Sequence, residues 1–330
     1  MKYCFGVDVG GTTVKLGLFT VEGELLDKWE IKTYTENEGE RILPDVTKAI
    51  KEKIAEKKLA ADEICGIGVG VPAPVDKNGA IERAANVGWK AKEIKKELEE
   101  LTGYPCVIGN DANVAALGEM WKGAGEGEKD LIMVTLGTGV GGGIIIDGHP
   151  VVGAHGAGGE IGHITVRNDE TETCGCGRKG CLEQYASATG LVRLTKRYFE
   201  KNAKNSILNK KEITAKEVFD AAKAGDEAAL EITQEFGAYL GQALVNLAAT
   251  VDPAVFVIGG GVSKAGDILC LSGSVPNCIP QTFYATLARQ CKARGVGVVI
   301  DAVGDLLKET LQYEPFVIKP NREELAQTTG

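Results

Sequence analysis

The chain has 330 residues, 44% hydrophobic and 25% charged, a globular profile long enough for one large domain or two ordinary ones. A formal net charge of −9 sets nucleic-acid and membrane-surface partners aside on electrostatic grounds. Glycine is the outlier: its 44 residues exceed the roughly 7% of an average chain and cluster in short loops, which points to backbone contacts with a ligand.

Tyr3 to Val9 reads as a strand ending in Asp8-Val9-Gly10-Gly11-Thr12-Thr13; Val14 to Phe19 resumes it, and Glu22-Gly23 turns into Glu24 to Thr33. Pro44 to Lys58 carries a helical pattern, Ile64 to Val71 is a buried-strand run, and Lys90 to Leu101 is an amphipathic helix. Pro105 to Ile108 leads as a strand into Asn110-Asp111, and Ala112 to Trp121 reads as a helix. Leu131 to Leu136, the glycine run from Gly137 to Gly143, and Ile144 to Ile146 repeat the strand–glycine turn–strand device. Two such hairpins predict a duplicated α/β fold with a cleft between its halves. Glu183 to Glu200 and Ala215 to Ala249 read as mostly helical, and Ala254 to Ile258 as a strand before Gly259-Gly260-Gly261.

The uncharged stretch Leu131–Ile146 carries five glycines and is too short and glycine-rich to span a membrane. Lys2, Gly6 and Asp8 interrupt any apolar leader at the start, so a cytoplasmic protein is expected. Its nine cysteines then suggest metal binding rather than disulfides.

Several backbone N–H groups converging without a side chain in the way make a phosphate site. Asp8, Gly10, Gly11, Thr12 and Thr13 supply glycines, two hydroxyls and a carboxylate that can hold Mg²⁺ through water. A hairpin turn that merely needs glycine is the plainer reading; three glycine loops in one chain favour a nucleotide. No P-loop motif occurs, and Gly137-x-Gly139-x-x-Gly142 runs into β-branched Ile144 to Ile146 instead of opening a helix, which excludes the dinucleotide motif.

His163, Cys174, Cys176 and Cys181 fall within nineteen residues, four soft ligands with no open position, as in a structural Zn²⁺ site. Cys4, Cys65, Cys106, Cys270, Cys278 and Cys291 are scattered and read as small buried hydrophobes, and His149 and His155 take no role.

Asp8-x-Gly10-Gly11-Thr12, Asn110-Asp111-Ala112-Asn113, Gly137-Thr138-Gly139-x-Gly141, Glu160-x-Gly162-His163 with the cysteines, and Gly259-Gly260-Gly261 occur in an order that resembles the ROK family of repressors, open-reading-frame proteins and sugar kinases, over about residues 1 to 267. The resemblance is closest to its glucose-phosphorylating members. It implies an actin-like ATPase (ribonuclease H-like) fold. The domains would be residues 1–115, with the first phosphate loop, and 116–267, with the zinc site, the second phosphate loop and the adenosine loop. It implies ATP, Mg²⁺ and structural Zn²⁺ as cofactors and a homo-oligomer, dimer or tetramer. Asp8, Gly10, Gly11, Thr12 and Thr13 would form the first phosphate loop, Gly137, Thr138 and Gly139 the second, and Gly259 and Gly260 would face the adenosine. Asn86, Asn110, Asp111, Glu160, His163 and Glu183 would hold sugar hydroxyls, with Asp111 the general base. Independently of the family, a carboxylate within reach of a sugar hydroxyl can take its proton during phosphoryl transfer. Asn110 could instead cap the helix that follows it, and Glu160 could be a solvated loop charge.

Residues 268–330 depart from this pattern. A helix from Thr282 to Arg294, a strand from Val296 to Asp301 and Asn321-x-x-Glu324 resemble an internal β-α-β-α fragment of a ribokinase-like (PfkB family) kinase, which makes the chain a chimera joined near residues 265–269. Exposed apolar surface is then expected, and Val296 to Ile300 is aggregation-prone if unpaired. Three outcomes follow: an ATP-dependent hexose kinase with glucose preferred, the alternatives being fructose, allose or N-acetylmannosamine as acceptor and polyphosphate as donor; a chimera that the join inactivates; and a sugar-responsive repressor. The repressor would need a helix-turn-helix before the first loop, whereas the first strand begins at Tyr3.

Overall fold

The computed structural model describes residues 1–202 and 206–263 with their side chains, and the backbone of 264–265, 269–272, 298–301 and 317–318. It divides into two compact units, Met1–Leu131 with Gly143–Gly159, and Ile132–Gly142 with Glu160–Gly330.

The first unit carries strands β1 (Tyr3–Val9), β2 (Thr13–Thr20), β3 (Leu25–Lys32), β4 (Ile64–Val71) and β5 (Cys106–Asn110) in the order β3-β2-β1-β4-β5. β1 pairs β2 antiparallel from Tyr3↔Thr20 to Val9↔Val14, and β4 parallel, while β4 pairs β5 parallel. Period-two alternation sends Phe5, Val7, Val9, Leu16, Leu18, Ile67, Val69 and Val71 into one core. Single-turn α1 (Glu36–Gly39) precedes α2 (Ile42–Lys57), which adds Ile42, Leu43, Val46 and Ile50 to that core; α3 (Ile94–Thr102) adds Ile94 and Leu98. α3 ends at Gly103, whose φ of 78° closes it in the left-handed conformation glycine favours. The opposite sheet face is lined by Gly6, Gly17, Gly68 and Gly109 and bounds a cavity of about 720 Å³; beside it Val107 is 75% exposed. α4 (Asp111–Lys122) runs straight through residue 115, so the units divide beyond the expected boundary there.

A second sheet runs β8-β7-β6-β9, made of β6 (Leu131–Leu136), β7 (Val140–Ile146), β8 (His149–Pro150) and β9 (Val255–Gly259). β7 begins at Val140, so the glycine run after Gly139 is strand, in keeping with the exclusion of a dinucleotide motif. Each of the two mostly helical stretches holds two helices. α5 (Glu183–Ala186) and α6 (Ala188–Lys201) break at Ser187, whose hydroxyl caps the Gly190 N–H. α7 (Ala215–Lys223) and α8 (Glu227–Val251) break at Gly225, with φ of 85°, and at Asp226, which caps the Ala229 N–H.

β10 (Leu269–Ser272), β11 (Val298–Asp301) and β12 (Val317–Ile318) form a parallel ladder in that order. β11 is therefore paired on both sides, so the condition under which this segment would be aggregation-prone, an unpaired strand, is not met over Val298–Asp301. The helix expected from Thr282 to Arg294, the Asn321-x-x-Glu324 motif and the side chains of Cys270, Cys278 and Cys291 lie outside the described residues. Cys106 is buried, as expected of a small hydrophobe, and Cys4 is half-buried; Cys65 is exposed, because the register shift between the pairs Tyr3↔Ile64 and Cys4↔Gly66 leaves it unmatched and breaks the alternation that would set it on the face of Ile67. No helix among the described residues is long and apolar enough to cross a membrane.

Candidate functional site

In the first unit the β1–β2 turn is tied by Gly10 N–H to Thr13 O at 3.1 Å. Thr33 holds the turn from behind, with its N–H on Thr12 O at 3.0 Å and its hydroxyl on Gly10 O at 2.7 Å. A Cβ on Gly11 would stand 2.8 Å from Asn86 O, so only glycine lets the two segments meet. Asn86 is itself exposed, presented between buried Ala84 and buried Val87, and the segment is pinned by buried Trp89, whose indole N–H donates to Gly39 O at 3.0 Å.

The Asn110 side chain is the N-cap of α4: its Oδ1 accepts from Ala112 N–H at 3.0 Å and Asn113 N–H at 3.2 Å, and its amide donates to Ala73 O at 3.3 Å. The capping alternative is thus what this side chain does. Asp111 follows at the first helical position, exposed, with Oδ1 accepting from Ala112 N–H at 2.8 Å. Desolvation by the surrounding chain raises its carboxyl above the ordinary value, as does the Asp8 carboxylate, while the Ala112 N–H acts the other way. Asp8 is exposed beside Lys15 at 3.7 Å, a pair worth little by itself.

In the second unit, His163, Cys174, Cys176 and Cys181 bring one ligand atom each to within 4.8 Å of one another. His163 Nδ1 lies 3.8 Å from Cys174 Sγ, and Cys176 Sγ lies 3.6 Å from Cys181 Sγ. Ligand arms of ~2.0–2.3 Å at tetrahedral angles put ligand atoms ~3.3–3.8 Å apart, so these edges fit a four-coordinate ion, whereas a disulfide needs ~2.05 Å. Gly177 and Gly180 take φ of 83° and 71°, and a Cβ on Gly180 would meet Arg167 O at 1.7 Å, which is why the cysteine loop needs them. Burial, the largest cause, raises the Cys174 thiol and pushes that of Cys181 up to about 12. A metal would have to displace those protons.

Sequence reading missed the buttress behind this loop. The Glu170 side chain is 1% exposed and accepts from Arg193 at 2.5 Å, from Arg197 at 2.8 and 2.9 Å, from the Tyr185 hydroxyl, and from the N–H groups of Thr171 and Glu172. Arg197 first, then Tyr185 and Arg193, hold its carboxyl far below the usual range against the cost of desolvation. The acid–arginine spacings lie 23 and 27 residues apart, so nothing in the sequence marks them as partners.

Glu160 is exposed at the turn leading to His163, without a side-chain cap bond. Glu183 sits at the start of α5; its Oε2 accepts from Val140 N–H at 3.1 Å and its Oε1 lies 3.8 Å from Cys174 Sγ. The second and third glycine loops also meet in this unit, where a Cβ on Gly260 would stand 2.5 Å from Leu136 O. Gly137, Thr138, Gly261 and Val262 line a cavity of about 720 Å³ together with Ala188 and with Ala215, Lys216, Phe219, Asp220 and Lys223. The α7 residues carry no motif, and only their helix register on the cavity identifies them; Gly259 and Gly260 stand just before its lining.

The ROK family's sequence profile matches residues 4–302. The chain is 44% identical over 273 residues to a glucokinase of Halalkalibacterium halodurans, covering 81% of this chain and 83% of that protein. It is similar to the crystal structure of a ROK hexokinase from Thermus thermophilus, with a TM-score of 0.66 and 34% identity over 79% of this chain and 83% of that one. It also resembles a ROK family glucokinase from Streptomyces griseus solved in complex with glucose and AMPPNP, with a TM-score of 0.61 and 36% identity over 80% of this chain and 85% of that one.

Proposed function

The chain belongs to the ROK family, with its two-unit actin-like ATPase fold, and from that premise we infer that it is a hexose kinase transferring a phosphoryl group from ATP to glucose. The observation that carries this is the 44% identity to a glucokinase over 273 residues. The finer assignments below are our proposal, supported by local geometry and by the family resemblance.

Asp111 is the general base. Its raised carboxyl and exposed position suit a group that must meet a hydroxyl and take its proton as the O–P bond forms. Asp8 would hold Mg²⁺, and the Gly10–Thr13 loop would meet phosphoryl oxygens. Mg²⁺, when bound, neutralises developing charge on the transferring group. Asn86, Glu160, His163 and Glu183 would meet sugar hydroxyls, and Asn110 would orient Asp111 through its cap. Gly137, Thr138 and Gly139 form the second phosphate loop, and Gly259 and Gly260 lead into the adenosine cavity above α7. His163, Cys174, Cys176 and Cys181 would hold a structural Zn²⁺, supported by their convergence within 4.8 Å and by the two edges of 3.8 and 3.6 Å that match a tetrahedral ion. A homo-oligomer is proposed on the same resemblance, and a cytoplasmic location remains part of the proposal.

The ROK match runs to residue 302, past the expected join, so the ribokinase-like origin of 268–330 stays a proposal. It is supported by the parallel order of β10, β11 and β12, whose connections 273–297 and 302–316 both exceed the dozen residues a parallel crossover needs.

The test is a coupled assay for hexose 6-phosphate on the full chain with ATP and Mg²⁺, run with glucose, fructose, allose and N-acetylmannosamine. Glucose should give the highest kcat/KM. A soluble, folded chain that turns over none of them would overturn the kinase reading.

A further inference from the structure

The resemblance makes Glu183 a sugar ligand. Its side chain, however, is held by the second glycine loop. One carboxylate oxygen accepts from Val140 N–H at 3.1 Å, and it lies in the notch that Gly139 leaves open, where a Cβ would stand 2.1 Å from it. The other oxygen lies 3.8 Å from Cys174 Sγ. One side chain thus touches the metal-ligand cluster at one end and the loop at the other.

The backbone around it repeats the connection. Cys181, two residues earlier, is a ligand of the cluster, and its N–H donates to Gln184 Oε1 at 3.1 Å, which fixes the first turn of α5 to it. The Ser187 hydroxyl donates to Glu183 O at 2.7 Å. Ala188 N–H then donates to Gly137 O at 2.8 Å, and the Thr189 hydroxyl to Thr138 O at 2.7 Å. Segment 183–189 therefore grips the loop at Gly137, Thr138 and Val140, and its first residue is anchored at the cysteines.

We propose that Glu183 is a positioning residue that transmits the geometry of the His/Cys metal cluster to the second glycine loop, so that metal occupancy sets nucleotide affinity. This rests on the reading of that cluster as a zinc site and of that loop as a phosphate loop. A carboxylate on a backbone N–H is a charge-assisted bond, stronger than a neutral one, and it fixes the turn before a nucleotide arrives. Pre-organising a loop raises affinity by removing the ordering cost from the binding step.

The experiment titrates Mg²⁺–AMPPNP and, separately, glucose into the full chain by calorimetry. The wild type, Glu183→Ala, Glu183→Gln and Gly139→Ala are compared as zinc-loaded and as chelated protein, with zinc content and thermal unfolding measured on every sample. In zinc-loaded protein, Glu183→Ala should weaken AMPPNP about ten-fold. Glu183→Gln, which keeps an acceptor for Val140 N–H, should restore most of that affinity. Gly139→Ala should mimic the loss with Glu183 intact, because its Cβ displaces the carboxylate. Chelation should weaken AMPPNP in the wild type but add little in Glu183→Ala, since residues acting through one contact are non-additive. AMPPNP affinity unchanged in folded, zinc-loaded Glu183→Ala overturns the proposal while leaving the zinc reading standing. So does an equal chelation loss in both proteins. Wild-type protein that retains no zinc overturns the zinc reading, and the coupling with it.

Discussion

The β1–β2 turn of the first unit and the β6–β7 turn of the second are clamped by the same pair of bonds. In one, Thr33 gives its N–H to Thr12 O and its hydroxyl to Gly10 O; in the other, Ala188 N–H meets Gly137 O and the Thr189 hydroxyl meets Thr138 O. The difference is what fills the glycine notches. In the first hairpin, a Cβ on Gly10 or Gly11 would strike backbone, Thr13 O or Asn86 O, each at 2.8 Å. In the second, a Cβ on Gly139 would strike the end of a side chain, Glu183. The same turn is thus locked by main chain in the unit that carries the expected base. In the unit that carries the candidate metal ligands it is adjustable through a carboxylate.

The comparison breaks first at the chemistry. Asp111→Asn should lower kcat by about 10²–10⁴-fold with glucose binding spared, because a general base contributes on that scale; steady-state kinetics beside glucose titration checks this, and undiminished turnover removes the base from the first unit. The next effect is on the second unit's scaffold. Glu170→Ala should cost about 3–5 kcal/mol in urea unfolding, since it leaves Arg193 and Arg197 facing a buried gap. Glu170 has a depressed folded pKa, so its stabilisation is present above the unfolded value of ~4.3 and lost as pH falls below it. The wild type should therefore lose stability below about pH 5 more steeply than the variant.

Gly11→Ala should cost about 1–3 kcal/mol, as a backbone clash cannot relax cheaply, whereas Gly139→Ala should cost less than ~1 kcal/mol because Glu183 can swing aside. Equal costs would erase the distinction between the two hairpins. The smallest effect is on pH. A raised Asp111 carboxyl stays protonated, and unable to accept a proton, to higher pH than an ordinary Asp, so the acid limb of kcat/KM lies above ~3.9. Asp8→Asn removes one of the two raising causes and leaves desolvation, so the limb should move down; a stationary limb shows that Asp8 does not reach Asp111.

By itself the sequence determined most of what short-range rules govern. β6 runs from Leu131 to Leu136 as its apolar run predicts, both glycine turns stand between strands, and Cys174-x-Cys176 and Cys181 converge with His163 because turn glycines at 177 and 180 leave few alternatives. Local chemistry also explains what pattern alone blurred: Ser187 and Asp226 cap new helices inside runs that read only as mostly helical, a signal present in the residues but weaker than the periodicity around it. Only the tertiary structure decided the rest. It spent the Asn110 side chain on a cap, buried Glu170 among arginines from a distant helix, placed α7 over the cavity at the second glycine loop, and set Glu183 against Gly139. Each depends on which side chain finds a partner 23 to 43 residues away or across a packed helix, or on a cap competing with a ligand for the same oxygen, and a one-dimensional pattern carries no term for those contests.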